Sequence, residues 1–276
     1  HLRVTKINDR IERLGLAIQK ESLNPSAYKK KIKALNSKKV RSSDRRKDKT
    51  FLLYFKGDIK ASSVDDLKDE ITAILYVAEK NDRVILILES AGGTLHGYGL
   101  AASQLERIKN KDIRLTIVVD KVAASGGYLM ACVANHIVAA PFAIIGSIGV
   151  VAQIPNFNEL LKKNNVEFEL LTAGKHKRTL TMFGENTDEG REKFQEELDE
   201  AHKIFKDFVT THRPNTDIEK VATGEYWQAK NAIELGLVDR LATSDEIIVE
   251  CAKNSEVYEI TTKSKKSLFE KIFLKK

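Results

Sequence analysis

Proline, cysteine, methionine and tryptophan are scarce, at four, two, two and one among 276 residues. Cys132 and Cys251 lie far apart, and neither belongs to a CxxC pair or a Cys/His cluster. That excludes a disulfide framework and argues against a structural zinc site. No run of about 18 apolar residues occurs, so no segment reads as a membrane-spanning helix. GxxxxGK[ST], GxGxxG behind a strand, HExxH and GxSxG are all missing, which removes the P-loop, dinucleotide, zincin and nucleophile-elbow readings. No metal or cofactor is expected. The six histidines include none in a nucleophile motif with an acidic partner. The chain begins at His1 rather than Met, so it reads as a fragment or processed form with a signal or anchor upstream.

Charge is unevenly spread. The total is +7, but residues 1–50 hold 16 basic and 5 acidic side chains, leaving the remainder at −4. A mildly acidic body argues against a nucleic-acid-binding domain, while a basic arm suits an anionic surface. Residues 1–49 read as that arm. Ile7, Ile11, Leu14 and Ile18 fall at helical spacing, Asn24-Pro25 breaks the pattern, and residues 28–49 are polar and cationic. A solvated linker and a membrane-surface contact are the two readings of that stretch.

The body runs over residues 50–250. Phe51–Phe55, Arg83–Leu88 and Ile113–Val119 are apolar β-rich runs of the kind covered on both faces. Helical patterns at 64–78, 97–109 and 128–134 alternate with them, predicting an α/β fold with parallel strands. Later elements are a helix over 156–163, a strand at Phe168–Leu171, a helix over 187–211 capped by Thr187, and short helices at 227–235 and 244–252, the last capped by Ser244. Residues 251–276 form a C-terminal strand and a basic tail. In that tail Leu268, Phe269, Ile272 and Phe273 alternate with lysines, suiting either a membrane-surface helix or an end packed on the body.

Two glycine turns follow buried strands: Gly92-Gly93 after Leu88, and Gly126-Gly127 after Val119, with Ser125 just before. Carboxyl ends of parallel strands are the usual site crevice, so both turns reach one edge if the strands are neighbours. Two exposed amides converging there make an oxyanion hole, and Ser125 then supplies a nucleophile. The plainer alternative is a tight turn and an N-cap serine. A serine without a Ser–His–Asp set needs another base. Lys177, in Ala173-Gly174-Lys175-His176-Lys177-Arg178, is the candidate, against the alternative of a solvated lysine cluster.

Ala123-Ala124-Ser125-Gly126-Gly127-Tyr128, Gly146-Ser147-Ile148-Gly149-Val150 and Ala173-Gly174-Lys175-His176-Lys177 together resemble the signal peptide peptidase A family of Ser–Lys proteases, and its SohB branch most closely. The steps from Ser125 to Ser147 and to Lys177 fit, as do Gly92-Gly93, Ala222-Thr223-Gly224 and Gly236-Leu237-Val238-Asp239. Ala91 stands where the family often has proline. The resemblance covers roughly residues 50–245, and the arm before it also looks SohB-like. It implies a Clp protease/crotonase-like fold of repeated strand–helix units with a basic N-terminal helical arm. Ser125 is then the nucleophile, Lys177 the general base, and Ser147 the residue orienting the lysine amine. The amides of Gly93 and Gly126 form the oxyanion hole, and His96 and His176 have no catalytic role.

The activity implied is a serine endopeptidase working through an acyl-enzyme on signal peptides or exposed membrane-protein segments. The implied assembly is a homo-oligomer in which Lys177 of one subunit serves Ser125 of its neighbour. The implied location is the bacterial inner membrane, through an anchor upstream of His1. The +11 arm favours a cytoplasmic body by the positive-inside rule, while the resemblance also allows a periplasmic one. Two other classes share features of the sequence: a crotonase-like acyl-CoA enzyme, and a catalytically silent membrane scaffold.

Overall fold

The apolar runs form the centre of a single sheet because each is covered on both faces, and their only charges, Arg83 and Arg114, stand at the N-terminal ends of their strands. The computed structural model describes residues 1–42 and 48–262. In chain order, β1 (Leu2–Lys6), α1 (Ile7–Ser22) and α2 (Pro25–Ser42) precede β2 (Lys49–Lys56), α3 (Val64–Val77) and β3 (Arg83–Glu89). Next come α4 (Leu95–Lys109), β4 (Arg114–Val119), β5 (Val122–Ala124), α5 (Gly126–Ala131), β6 (His136–Ala139) and β7 (Ile144–Gly146). The remainder is α6 (Asn158–Lys163), α7 (Asp188–His212), α8 (Ile218–Val221), β8 (Tyr226–Gln228), α9 (Ala229–Ala232), β9 (Arg240–Leu241), α10 (Ser244–Asn254) and β10 (Glu256–Thr262).

The expected α/β architecture of repeated strand–helix units forms. Seven strands run in the order β1-β10-β2-β3-β4-β6-β9, parallel throughout except for β1. A second sheet, β5-β7-β8, is joined to the first by a parallel bridge between Ser90 and Ala123. Alternate strand residues face opposite layers. Leu53, Phe55, Leu86, Leu88 and Ile117 pack on α3, α4 and α5, whereas Leu52, Ile85, Val118 and Val257 pack on Ile7 of α1 and Ile247 of α10. Leu52 and Leu53 are both fully buried on opposite faces, and each such side chain contributes about 1.5–3 kcal/mol.

Several elements depart from the sequence reading. Residues 28–42, read as linker, continue a helix, α2, whose Tyr28, Ile32 and Leu35 are half-buried. The start of the arm is built into the body: β1 pairs with β10, and Asn8 accepts from the Val257 amide at 2.8 Å. Residues 168–171 form no strand; no described strand pairs with them to take their backbone hydrogen bonds, and Leu171 is 90% exposed. Residues 226–228 pair with β7 instead of opening a helix. Thr187 caps α7 as expected, accepting from Gly190. The cap of α10 is Thr243, in a capping box with Glu246, while Ser244 binds Asp120 through its amide at 2.8 Å and its hydroxyl at 2.5 Å. The tail over 267–276 lies outside the described residues. No helix among those described is long and apolar enough to cross a membrane.

Candidate active site

Strand register assembles the site. β5 and β7 are parallel partners with Ala124 opposite Gly146. Ser125 and Ser147 are therefore the next residues on two neighbouring strands, about 5 Å apart at the backbone. The interval between them along the chain is one strand-to-strand return. Both serines turn sharply out of their strands, at φ 52° and 51°. A non-glycine residue with positive φ stores about 1–2 kcal/mol. The surroundings hold both bends: the Ser125 amide donates to Gly146 O at 2.8 Å, and the Ser147 amide to Glu225 O at 2.6 Å.

Ser125 sits at the N-cap of α5, yet its hydroxyl caps nothing. The plain N-cap reading requires a bond to an α5 amide, and that bond is missing. The hydroxyl faces a cleft of about 860 Å³ lined by Ser125, Gly126, Ser147, Gly92 and Gly93, with His202 and Phe205 of α7 also on the wall.

The neighbouring parallel strands β3 and β4 bring both glycine turns to one edge. A Cβ on Gly92 would lie 2.7 Å from Ser125 Cβ and 2.8 Å from the Gly126 amide nitrogen. Only glycine permits that approach, and Gly92 also has φ +93°. The Gly92 amide is already used, donating to Ser90 Oγ at 3.0 Å. The Thr94 amide donates to Ile59 O at 2.8 Å. Between them the Gly93 amide has no acceptor among the described residues, and neither has the Gly126 amide. Two free donors thus flank a serine hydroxyl in one concavity, the arrangement an oxyanion needs.

Lys177 is not in this company. It is exposed on the 174–178 loop, its amide closes a turn onto Gly174 O at 3.1 Å, and it does not line the cleft. The sequence places it at the end of a strand, but the strand does not form. The segment around it is unusually apolar on its outside: Val151 is 82% exposed, and Phe157, Phe168, Leu170 and Phe183 are exposed as well. His96 and His176 are also exposed, and neither lines the cleft.

Sequence reasoning missed the α7 wall. In the sequence Phe205 reads simply as a core residue of the 187–211 helix, and His202 carries no motif at all. It also missed Ser90 and Tyr98, which lie behind the glycine turns. Burial pushes the Tyr98 phenol up, against the Ser90 hydrogen bond. Both cysteines are free. Burial raises the thiol pKa of each, which makes both poor nucleophiles at neutral pH.

Comparison with known proteins adds an independent line. The family described as Peptidase family S49 matches residues 107–258, and Peptidase family S49 N-terminal matches residues 1–105. A probable protease SohB of Haemophilus influenzae is 57% identical over 228 residues, covering 83% of this chain and 65% of that protein. A probable protease SohB of Buchnera aphidicola subsp. Acyrthosiphon pisum is 62% identical over 203 residues, covering 74% and 60%. The chain thus spans less than two thirds of the length of these relatives. Among solved structures, the ClpP protease catalytic domain of Plasmodium falciparum aligns with a TM-score of 0.45 at 12% identity, over 70% of this chain and 85% of that one.

Proposed function

Since the chain belongs to peptidase family S49, in its SohB branch, we propose that the protein is a serine endopeptidase of the Ser–Lys type. The observation that carries this reading is the uncapped Ser125 hydroxyl beside the two unpartnered amides of Gly93 and Gly126. Ser125 attacks the scissile carbonyl, the carbonyl oxygen becomes an anion held by those amides, and the proton passes to Lys177. The C–N bond breaks as Lys177 passes that proton to the leaving amine, leaving an acyl-enzyme ester on Ser125; water, deprotonated by Lys177, then attacks the ester, and the proton returns to Ser125 as the acid leaves. Ser147, one strand away from Ser125, orients the lysine amine.

The lysine comes from a neighbouring copy. Support for this is that Lys177 of the same chain lies outside the cleft while its segment exposes a band of apolar side chains. The assembly is a homo-oligomer, and the exposed band is its contact. Substrates are peptides with apolar segments, such as signal peptides or exposed stretches of membrane proteins, in keeping with Ile59, Leu95, Val150 and Val151 along the cleft. The enzyme works at the bacterial inner membrane. The α2 helix, with seven cationic and no acidic side chains, suits anionic headgroups there.

Labelling with a serine-directed fluorophosphonate tests the reading. Wild type is expected to label at Ser125, Ser125→Ala not at all, and Lys177→Ala slowly. Wild-type labelling of Ser125→Ala would remove the nucleophile assignment.

A further inference from the structure

The two turns of the site are tied together from behind by a chain of hydrogen bonds whose direction can be worked out. Tyr98 Oη donates to Asp58 O at 2.7 Å. A phenol has one proton, so at its 2.5 Å contact with Ser90 Oγ it must accept. Ser90 therefore gives its only proton to Tyr98, and its oxygen is left to accept from the Gly92 amide at 3.0 Å. The chain runs one way: Gly92 N–H to Ser90, Ser90 to Tyr98, Tyr98 to the Asp58 carbonyl.

Each member also touches the other half of the site. The Ser90 carbonyl accepts from the Ala124 amide at 3.0 Å, one residue before Ser125. A Cβ on Gly126 would strike the Tyr98 ring, and one on Gly127 would lie 2.5 Å from Ser90 O. Ser90 and Tyr98 are 2% and 0% exposed. Gly57 leaves the space they occupy, since a Cβ there would collide with both hydroxyls. Next in the same loop, Ile59 O holds the Thr94 amide. The Gly93 amide is thus fixed between two anchored neighbours.

We propose that Ser90 and Tyr98 are positioning residues for the reaction: by engaging the Gly92 amide away from the cleft, they aim the Gly93 amide at the carbonyl oxygen under attack. This rests on the assignment of Ser125 and the two amides made above. Neither side chain touches substrate, so their effect falls on the transition state, where the oxyanion forms, and not on substrate binding.

The test is steady-state kinetics on a fluorogenic peptide, with affinity for a peptide aldehyde whose hemiacetal oxygen occupies the same position. Ser90→Ala is expected to lower kcat about 10- to 100-fold, the cost of a misplaced donor. KM should stay near wild type and aldehyde affinity should weaken in parallel with kcat. Tyr98→Phe, which keeps the ring against Gly126, is expected to lose about three- to tenfold in the same pattern. If Ser90→Ala does not fold, Tyr98→Phe decides the matter alone. Wild-type kcat in these variants, or a loss confined to KM, overturns the proposal. Fluorophosphonate labelling of wild type separates the two claims: absent labelling at Ser125 overturns the active-site reading, whereas normal labelling with unaffected variants overturns only the role of Ser90 and Tyr98.

Discussion

Gly92→Ala tests the approach of the two turns most sharply. The added methyl would sit 2.7 Å from Ser125 Cβ, 2.8 Å from the Gly126 amide nitrogen and 2.9 Å from Ala124 O, on a backbone at φ +93°. The positive φ costs about 1–2 kcal/mol for alanine. Overpacking against backbone on three sides adds about 1–3 kcal/mol. A stability loss of about 2–5 kcal/mol follows, read as a lower midpoint in thermal or urea unfolding. Activity should fall further than stability. The methyl is aimed at the Gly126 donor and at the carbon bearing the nucleophile, and loss of one oxyanion donor costs about 10²- to 10³-fold in kcat. Gly99→Ala is the control. It lies on α4, where a Cβ meets nothing within 4 Å. That variant should gain about 0.5–1 kcal/mol with unchanged fluorophosphonate labelling. A Gly92→Ala protein that labels and turns over at the wild-type rate would refute the argument that the turns share one site.

Other outcomes follow from the same geometry. Mixing equal amounts of Ser125→Ala and Lys177→Ala, after dissociation and reassembly, should restore about a quarter of wild-type turnover, because half of the subunits keep the serine and a random neighbour brings the lysine to half of those; no recovery above the parents would place both residues in one subunit. Arg213→Ala should cost about 2–3 kcal/mol in urea unfolding, since Arg213 bonds Asp239 at 2.6 and 2.9 Å and Gly236 O at 2.7 Å. Burial alone would raise the Asp239 carboxyl, but Arg213 and the Ile137 amide hold it below its ordinary value. Its contribution is therefore present above about pH 4 and lost on acidification, and the variant should show a flatter acid limb. Glu70 is the opposite case: burial raises its carboxyl against the hydrogen bond from the Thr262 amide. Its contribution is complete below about pH 4 and lost as pH rises through the raised value. Glu70→Gln should therefore melt higher than wild type at pH 7 and about equally at pH 4.

The central strands were legible because burial on both faces writes itself as an uninterrupted apolar run, as in Val84–Leu88. The glycine turns were legible because close backbone approach admits no other residue at Gly92. What could not be read was anything decided by a partner distant in sequence. Phe168–Leu171 has the composition of a strand, but a strand also needs a neighbour, and none of the described strands pairs with it. The cationic run after Pro25 looks like linker by charge, yet Tyr28, Ile32 and Leu35 supply a half-buried stripe. Ser244 has a capping residue type one position from Thr243, and only Glu246 and Asp120 decide which of the two caps. Ser90 and Tyr98 carry no motif. Their role exists only once β3, α4 and the loop after β2 meet.

The position of β10 sets an order on how the chain can fold as it is made. The strand lies between β1 and β2 and is the neighbour of both, while the pair Lys6–Glu256 spans 250 residues. β1 must wait for β10. At about 5–20 residues per second that delay is roughly 12–50 s, during which β1 and the outer edge of β2 both lack the strand that will lie between them. The strand pairings from β2 through β9 are all made once β9 is, while the outer edge of β2 and the face of Leu52, Ile85 and Val118 that packs on Ile247 wait for later residues. A nascent chain can therefore form its cleft first and close its sheet last. A chain cut short before residue 256 would carry a finished cleft together with an open, aggregation-prone edge.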